Sequence, residues 1–186
     1  MWIYEKRLQF PVNVKKRNLS LAKQIYDTLG GPSGELSASM EYLQQRYTMP
    51  TNDSIALLTD IGTEELGHLE MLSSLVYQLT DGASVQEVKD AGFESEYVGS
   101  GGGIALVNPD GNFWNAGYIS VTADPIADLT SNLAAEERAR VGYDHLITLT
   151  TDEEVKKVLT FLREREIVHF QRFGEMLNKL QERRNF

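Results

Sequence analysis

The chain has 186 residues and a mass of 20.9 kDa, with 27 acidic against 18 basic side chains, a net charge of −9 and no cysteine. The negative excess disfavours nucleic-acid phosphates and anionic membrane surfaces as partners, and the missing thiols exclude disulfides, cysteine-ligated zinc and iron–sulfur clusters. At 41% hydrophobic residues and a mean hydropathy of −0.32 the chain can build a core, yet no run approaches the roughly eighteen apolar residues of a membrane span. At the N-terminus Glu5, Lys6 and Arg7 interrupt Trp2, Ile3, Tyr4 and Leu8, which leaves no signal-peptide core. The expectation is a protein kept inside the cell, not secreted, forming a single domain over residues 1–186.

An N-terminal arm and short helix occupy 1–33, with the helical pattern over Leu21–Leu29 stopped by Gly30-Gly31-Pro32. A second helix spans about Gly34–Tyr47 and is closed by Pro50. A long third begins at Asn52 or Asp53 and reaches Thr80, before the turn signal Asp81-Gly82. Residues 81–123 form a crossover holding a short helix, Val85–Ala91, a glycine run from Gly99 to Gly103, and the turn Asn108-Pro109-Asp110-Gly111-Asn112. Asp124 and Pro125 open another helix as N-cap and first residue; it runs to about Thr150, breaks at Thr151-Asp152, and is followed by a last helix to about Arg183. Four main helices joined by a short link, a long crossover and a short link describe an all-α, ferritin-like four-helix bundle.

The apolar stripes of three helices carry acids at one depth. Leu58, Ile61, Glu65, His68, Leu72, Leu75 and Leu79 step by three and four residues along one face, and so do Val155, Leu159, Leu162, Glu166, His169, Phe173, Met176 and Leu180. The third pattern, Ile126, Leu129, Leu133, Glu136, Arg140, Tyr143 and Ile147, places Glu136 at the same level. Glu35, Ala38 and Tyr42 form the inner side of the second helix. An unpaired buried carboxylate costs several kcal/mol, and four at one level repel one another unless cations sit among them. Two divalent metals answer that charge, and Glu-x-x-His puts both donors on one face. One Glu from each of two helices, with Glu-x-x-His from each of two others, is the pattern of a dinuclear carboxylate site. The bland alternative is a pair of core histidines satisfied by neighbouring acids.

Glu136 is preferred to Glu137 because it continues the Leu129–Leu133 register. Arg140, one turn on, is either a charge neutralising the site or a solvated helix residue, and Tyr42 is either core or a hydrogen-bond donor to a metal-bound oxygen. His145 lies off the stripe and reads as a surface histidine. The glycine run lacks the Lys-Ser/Thr of a phosphate loop. The run Leu162-Arg163-Glu164-Arg165-Glu166 reads as a solvated face apart from Leu162 and Glu166, and Arg183-Arg184 complements a helix dipole.

At Gly34-Glu35-Leu36-Ser37-Ala38, Glu65-Leu66-Gly67-His68, Leu133-Ala134-Ala135-Glu136 and Phe161 to Phe170 the chain resembles the manganese (non-haem) catalases, over essentially its whole length. Its length and its Met1-Trp2-Ile3-Tyr4-Glu5-Lys6 opening are most similar to the short, CotJC-type spore-coat members of that family. The resemblance implies two manganese ions per chain, held by Glu35, Glu65, His68, Glu136 and His169 with Glu65 bridging. It also implies Glu166 as a catalytic carboxylate that moves protons, and Tyr42 as an outer hydrogen-bond donor. The implied reaction is disproportionation of hydrogen peroxide to water and dioxygen, with no external electron donor. Ala135 stands where some members place an arginine, for which Arg140 is the candidate substitute. Members carry a tail beyond the fourth helix, whereas this sequence ends at Phe186; a homo-oligomer, a hexamer, is expected without those tail contacts and with a more open entrance. The implied location is the cytoplasm or the spore coat, with other coat proteins as partners. A diiron oxidase or peroxidase, and a structural coat protein with a metal site, are the competing readings.

Overall fold

The structure is a computed structural model that describes residues 5, 7–92, 103–108 and 110–184. Gly99–Gly102 of the glycine run, Pro109 and most of the Met1–Lys6 opening lie outside the described residues. Six α-helices follow in order: α1 (Leu19–Gly30), α2 (Glu35–Gln45), α3 (Asn52–Thr80), α4 (Val85–Asp90), α5 (Pro125–Thr148) and α6 (Glu153–Arg184). α2, α3, α5 and α6 are the four-helix bundle, and the connection from α3 to α5 is its single long crossover.

The helix starts follow capping chemistry. Asn18 accepts from Leu21 N to open α1, Thr51 and Ser54 form a reciprocal capping box at α3, and Ser84 with Glu87 does the same at α4. Asp124 accepts from Ile126 N and Ala127 N, with Pro125 in the first position of α5. α2 is shorter than its sequence pattern, because Arg46–Thr48 tightens into a 3₁₀ turn. The described end of the crossover is tied back to the bundle. Val107 bridges Phe113 around the Asn108 turn, and Trp114 Nε1 donates to Ser37 Oγ at 3.0 Å. Gly30 is required where that segment crosses α1: a Cβ there would stand 2.6 Å from Val107 N and 2.8 Å from Leu106 C.

Two apolar clusters fill the bundle. One gathers Leu72, Leu75 and Leu79 of α3 with Val155, Leu159 and Leu162 of α6, and is covered by α1. The other gathers Leu58 and Ile61 of α3 with Phe173, Met176 and Leu180 of α6, beside Tyr42 and Leu129. The two stripes therefore run in opposite directions past each other, and the acid–histidine layer lies between the clusters. α5 departs from its expected stripe. Ile126, Leu133, Arg140 and Ile147 are only half-buried, while Asp128, Leu129, Asn132, Glu136, Tyr143 and Leu146 are buried. Asn132 enters because α2 meets this face with a polar group, Asn132 Nδ2 donating to Gln45 Oε1 at 2.7 Å, and Asp128 enters because Thr122 of the crossover donates to its Oδ1 through N at 3.0 Å and Oγ1 at 2.6 Å; Glu41 of α2 accepts from Ser120 N and Ser131.

Candidate metal centre

Every residue named for the site from the sequence lies in one layer. Glu35, Tyr42, Glu65, His68, Glu136, Glu166 and His169 are all at least 97% buried. Glu35 sits in the first turn of α2, where the helix N-terminus favours its charge, and Tyr42 follows two turns later. Glu65 and His68 come from α3, Glu136 from α5, Glu166 and His169 from α6.

Glu65 is central. Its Oε2 lies 2.6 Å from His68 Nδ1 and its Oε1 lies 2.8 Å from His169 Nδ1. His68 Nδ1 is also 3.6 Å from Glu35 Oε2 and from Glu166 Oε1, and His169 Nδ1 is 3.6 Å from Glu136 Oε2. The imidazole rings are near-parallel, with centroids 5.6 Å apart. Two overlapping donor sets result, Glu35–Glu65–His68–Glu166 and Glu65–Glu136–Glu166–His169, each with its ligand atoms within 4.8 Å of one another. Glu65 Oε1 and Oε2, His68 Nδ1, Glu136 Oε2, Glu166 Oε1 and His169 Nδ1 are buried and make no hydrogen bond of acceptable geometry. Buried donors and acceptors normally pair. These converge on shared points rather than on each other, which is the arrangement two divalent cations fit, and an N/O donor set suits manganese or iron.

The charges are strongly coupled. Burial, then the neighbouring Glu65 charge, pushes the Glu35 carboxyl up to about 7, although the nearby His68 imidazole and the Tyr143 hydroxyl, which donates to it, favour its charge. Burial together with Glu35, Glu65 and Glu136 drives Glu166 well above the usual carboxylate range. Burial opposes charge on Glu65 as well, but His169 and His68 outweigh it and hold that carboxyl well below its ordinary value. Burial would lower His169, yet Glu65, Glu136 and Glu64 carry it up to about 12. In this layer the imidazole protons occupy the role that metal charge would take.

The structure decides several alternatives. Glu136 is buried and Glu137 is exposed, paired with Arg140. Arg140 also binds Asp144 at 2.7 Å, so it is held on the outer face and does not replace a charge at Ala135. Tyr42 donates to Glu136 Oε1 at 2.6 Å and packs edge-on to Phe173, so it is both core and site. His145 is exposed. Reading Arg165 as a solvated residue is corrected: its guanidinium is about a quarter exposed and grips Glu64 through Nε at 2.7 Å and Nη2 at 3.2 Å.

Two residues of the layer escaped the sequence reading as participants. Tyr143, seen there only as core, donates to Glu35 Oε1, matching what Tyr42 does for Glu136. Glu64 is off the apolar stripe, yet its Oε2 meets His169 Nε2 at 3.0 Å. The pattern Glu64-Glu65 beside Arg165-Glu166, opposite charges one residue before each inward acid, is the only signal that pointed to it.

A cavity of about 110 Å³ opens between α2 and α5. Glu35, Glu136 and Glu166 lie along it, as do the small side chains Ala38, Ala135 and Ala139. Exposed Arg138 and Ser33 close its outer edge with a 3.3 Å hydrogen bond.

A ferritin-like helical bundle with paired carboxylates and two inward histidines is the class of protein that fold and site define. Residues 1–186 match the family described as manganese containing catalase, and the chain belongs to that family. It is 47% identical over 185 residues to Protein CotJC of Bacillus subtilis, covering 100% of this chain and 97% of that protein. It is 41% identical to a probable manganese catalase of Clostridium acetobutylicum, covering 97% of this chain and 81% of that one. The crystal structure of KatB, a manganese catalase from Anabaena, superimposes with a TM-score of 0.88 at 34% identity, over 97% of this chain and 81% of that chain.

Proposed function

We propose that the protein is a dimanganese catalase, converting two molecules of hydrogen peroxide into one of dioxygen and two of water. The observation that carries this reading is the convergence of unpaired buried carboxylate and imidazole atoms on two overlapping points, in a chain of the manganese catalase family. Glu35, Glu65 and His68 would hold one ion and Glu65, Glu136 and His169 the other, with Glu65 as the bridge. Manganese, changing by one electron at each ion, supplies both the reduction of one peroxide and the oxidation of the next.

The remaining steps belong to the chain. Peroxide enters through the cavity between α2 and α5, whose alanine walls leave room for a molecule little larger than water. The Glu166 carboxyl, raised well above the usual carboxylate range by burial and three neighbouring carboxylates, is suited to carry a proton. It gives that proton to the oxygen leaving as water when the O–O bond breaks, and takes one back from the peroxide that is oxidised. Tyr42 and Tyr143 hold the outer oxygens of Glu136 and Glu35, which keeps the inner oxygens aimed at the metals. No helix among the described residues is long and apolar enough to cross a membrane. Similarity to CotJC supports association with the spore coat, and the assembly we propose there is a homo-oligomer, a hexamer, among other coat proteins.

Metal analysis beside an oxygen electrode, with peroxide and no reductant, tests the reading. Two manganese per chain with oxygen release is expected, and Glu166→Gln should keep its manganese while losing at least about 100-fold in turnover. Iron, with turnover that requires ferrous ion or a reductant, identifies a diiron oxidase or peroxidase. A filled site that releases no oxygen identifies a structural coat protein.

A further inference from the structure

We infer that Glu64, held by Arg165 and Gln9, is the positioning residue that aims His169 of the metal site. The inference rests on the metal-binding reading above and deepens it. The two Glu-x-x-His segments of α3 and α6 are each preceded by a charged residue, Glu64 and Arg165, and these meet across the helix pair in a two-point ion pair. Gln9 of the N-terminal arm donates a third hydrogen bond, Nε2 to Glu64 Oε1 at 2.7 Å. The carboxylate so fixed faces the outer nitrogens of the imidazoles: its Oε2 is 3.0 Å from His169 Nε2, a hydrogen bond, while its Oε1 stands 3.7 Å from His68 Nε2, beyond hydrogen-bond reach.

The chemistry follows from what an imidazole can do. A neutral ring has one N–H and one lone pair, and a partner that only accepts selects the nitrogen that keeps the hydrogen. Glu64, ionised and gripped by Arg165, accepts only. It keeps hydrogen on His169 Nε2 and leaves the His169 Nδ1 lone pair facing Glu65 and Glu136, where one donor set converges. Carboxylates in this role orient metal-binding histidines, and their loss typically costs 10–100-fold in metal affinity. The carboxylate serves the His169 ring, so a residue outside the donor sets governs the α6 half of the site. It also places the N-terminal arm, through Gln9, in the support of the metal centre.

The test measures Mn(II) binding by chelator competition in the full chain and in Glu64→Gln, Glu64→Ala and Arg165→Gln, with circular dichroism reporting the fold. The zinc-loaded parent is examined by ¹⁵N NMR of its histidines. The parent should bind two ions and show Nε2–H with Nδ1 metallated for His169. Both Glu64 variants should bind at least tenfold more weakly with helix content unchanged. Arg165→Gln, which keeps the acceptor, should lose less than either. A merely structural ion pair would make Arg165→Gln as damaging as Glu64→Gln, and that result overturns the inference. So do folded variants that bind like the parent, or a His169 ring metallated through Nε2, which is read on the parent and requires no variant to fold. A parent that binds no Mn(II) refutes the metal reading itself, a different failure.

Discussion

Tyr143 is the residue whose replacement best probes how the chain tunes its donor atoms. Its hydroxyl donates to Glu35, and the Glu35 carboxyl stands near 7 with that bond in place. Tyr143→Phe removes the donor and nothing else of comparable size. A hydrogen bond to a charged acceptor is worth about 1.5–3 kcal/mol, which at about 1.36 kcal/mol per pH unit raises the carboxyl by about one to two units. At pH 7 the ionised fraction of Glu35 then falls from about a half to between about a tenth and a hundredth. A metal must displace that proton, so apparent Mn(II) affinity at pH 7 drops about 5–50-fold. By pH 8.5 the ionised fraction in the variant recovers to between about a quarter and three quarters, and the deficit shrinks to about fourfold or less. Competition with a fluorescent chelator from pH 6 to 8.5 measures this directly. A loss of equal size at every pH, or none at pH 7, refutes the assignment of Tyr143 to the Glu35 charge.

Other outcomes follow from the same layer. Glu35 and Glu166 stand above, and His68 and His169 above, their unfolded values. The folded chain stripped of metal therefore retains protons that the unfolded chain has lost, and its stability falls as pH rises from about 4.5 through 7 and beyond. Glu35 alone accounts for about 3 kcal/mol of that slope; thermal unfolding in chelator that is flat or rising over pH 5–7.5 contradicts it. Mn(II) at about a thousand times its dissociation constant should add about 4 kcal/mol, or about 8–16 °C in the unfolding midpoint of a chain this size. An unchanged midpoint would mean that folding creates no site. Gly30→Ala drives a Cβ to 2.6–2.8 Å from the backbone of Leu106 and Val107. It should cost about 1–3 kcal/mol by denaturant unfolding, with the metal layer intact; a neutral result would mean that the crossover does not press on α1.

How much was legible beforehand differs by residue. Glu65, His68, Glu166 and His169 were readable because each breaks an otherwise apolar stripe, and a stripe needs only the 3.6-residue period to be recognised. α5 was harder. Its buried face carries Asn132 because Gln45 of α2 answers it and Asp128 because Thr122 of the crossover does, and such pairs between separate segments leave no periodic mark on the helix. Glu64 and Arg165 looked like surface charges, since a side chain one position off the stripe points outward in an isolated helix.

Local chemistry by itself determined the helices and their ends, through the caps at Asn18, Thr51, Ser84 and Asp124, and it determined which acids had to be buried. Those properties depend on neighbours within one turn. Tertiary structure alone decided that Tyr143 serves Glu35, that Arg140 stays outside, and that Glu64 faces both histidines. Each of those depends on the relative rotation of two helices far apart in the chain, a quantity set by how the two apolar clusters above and below the acid layer pack together.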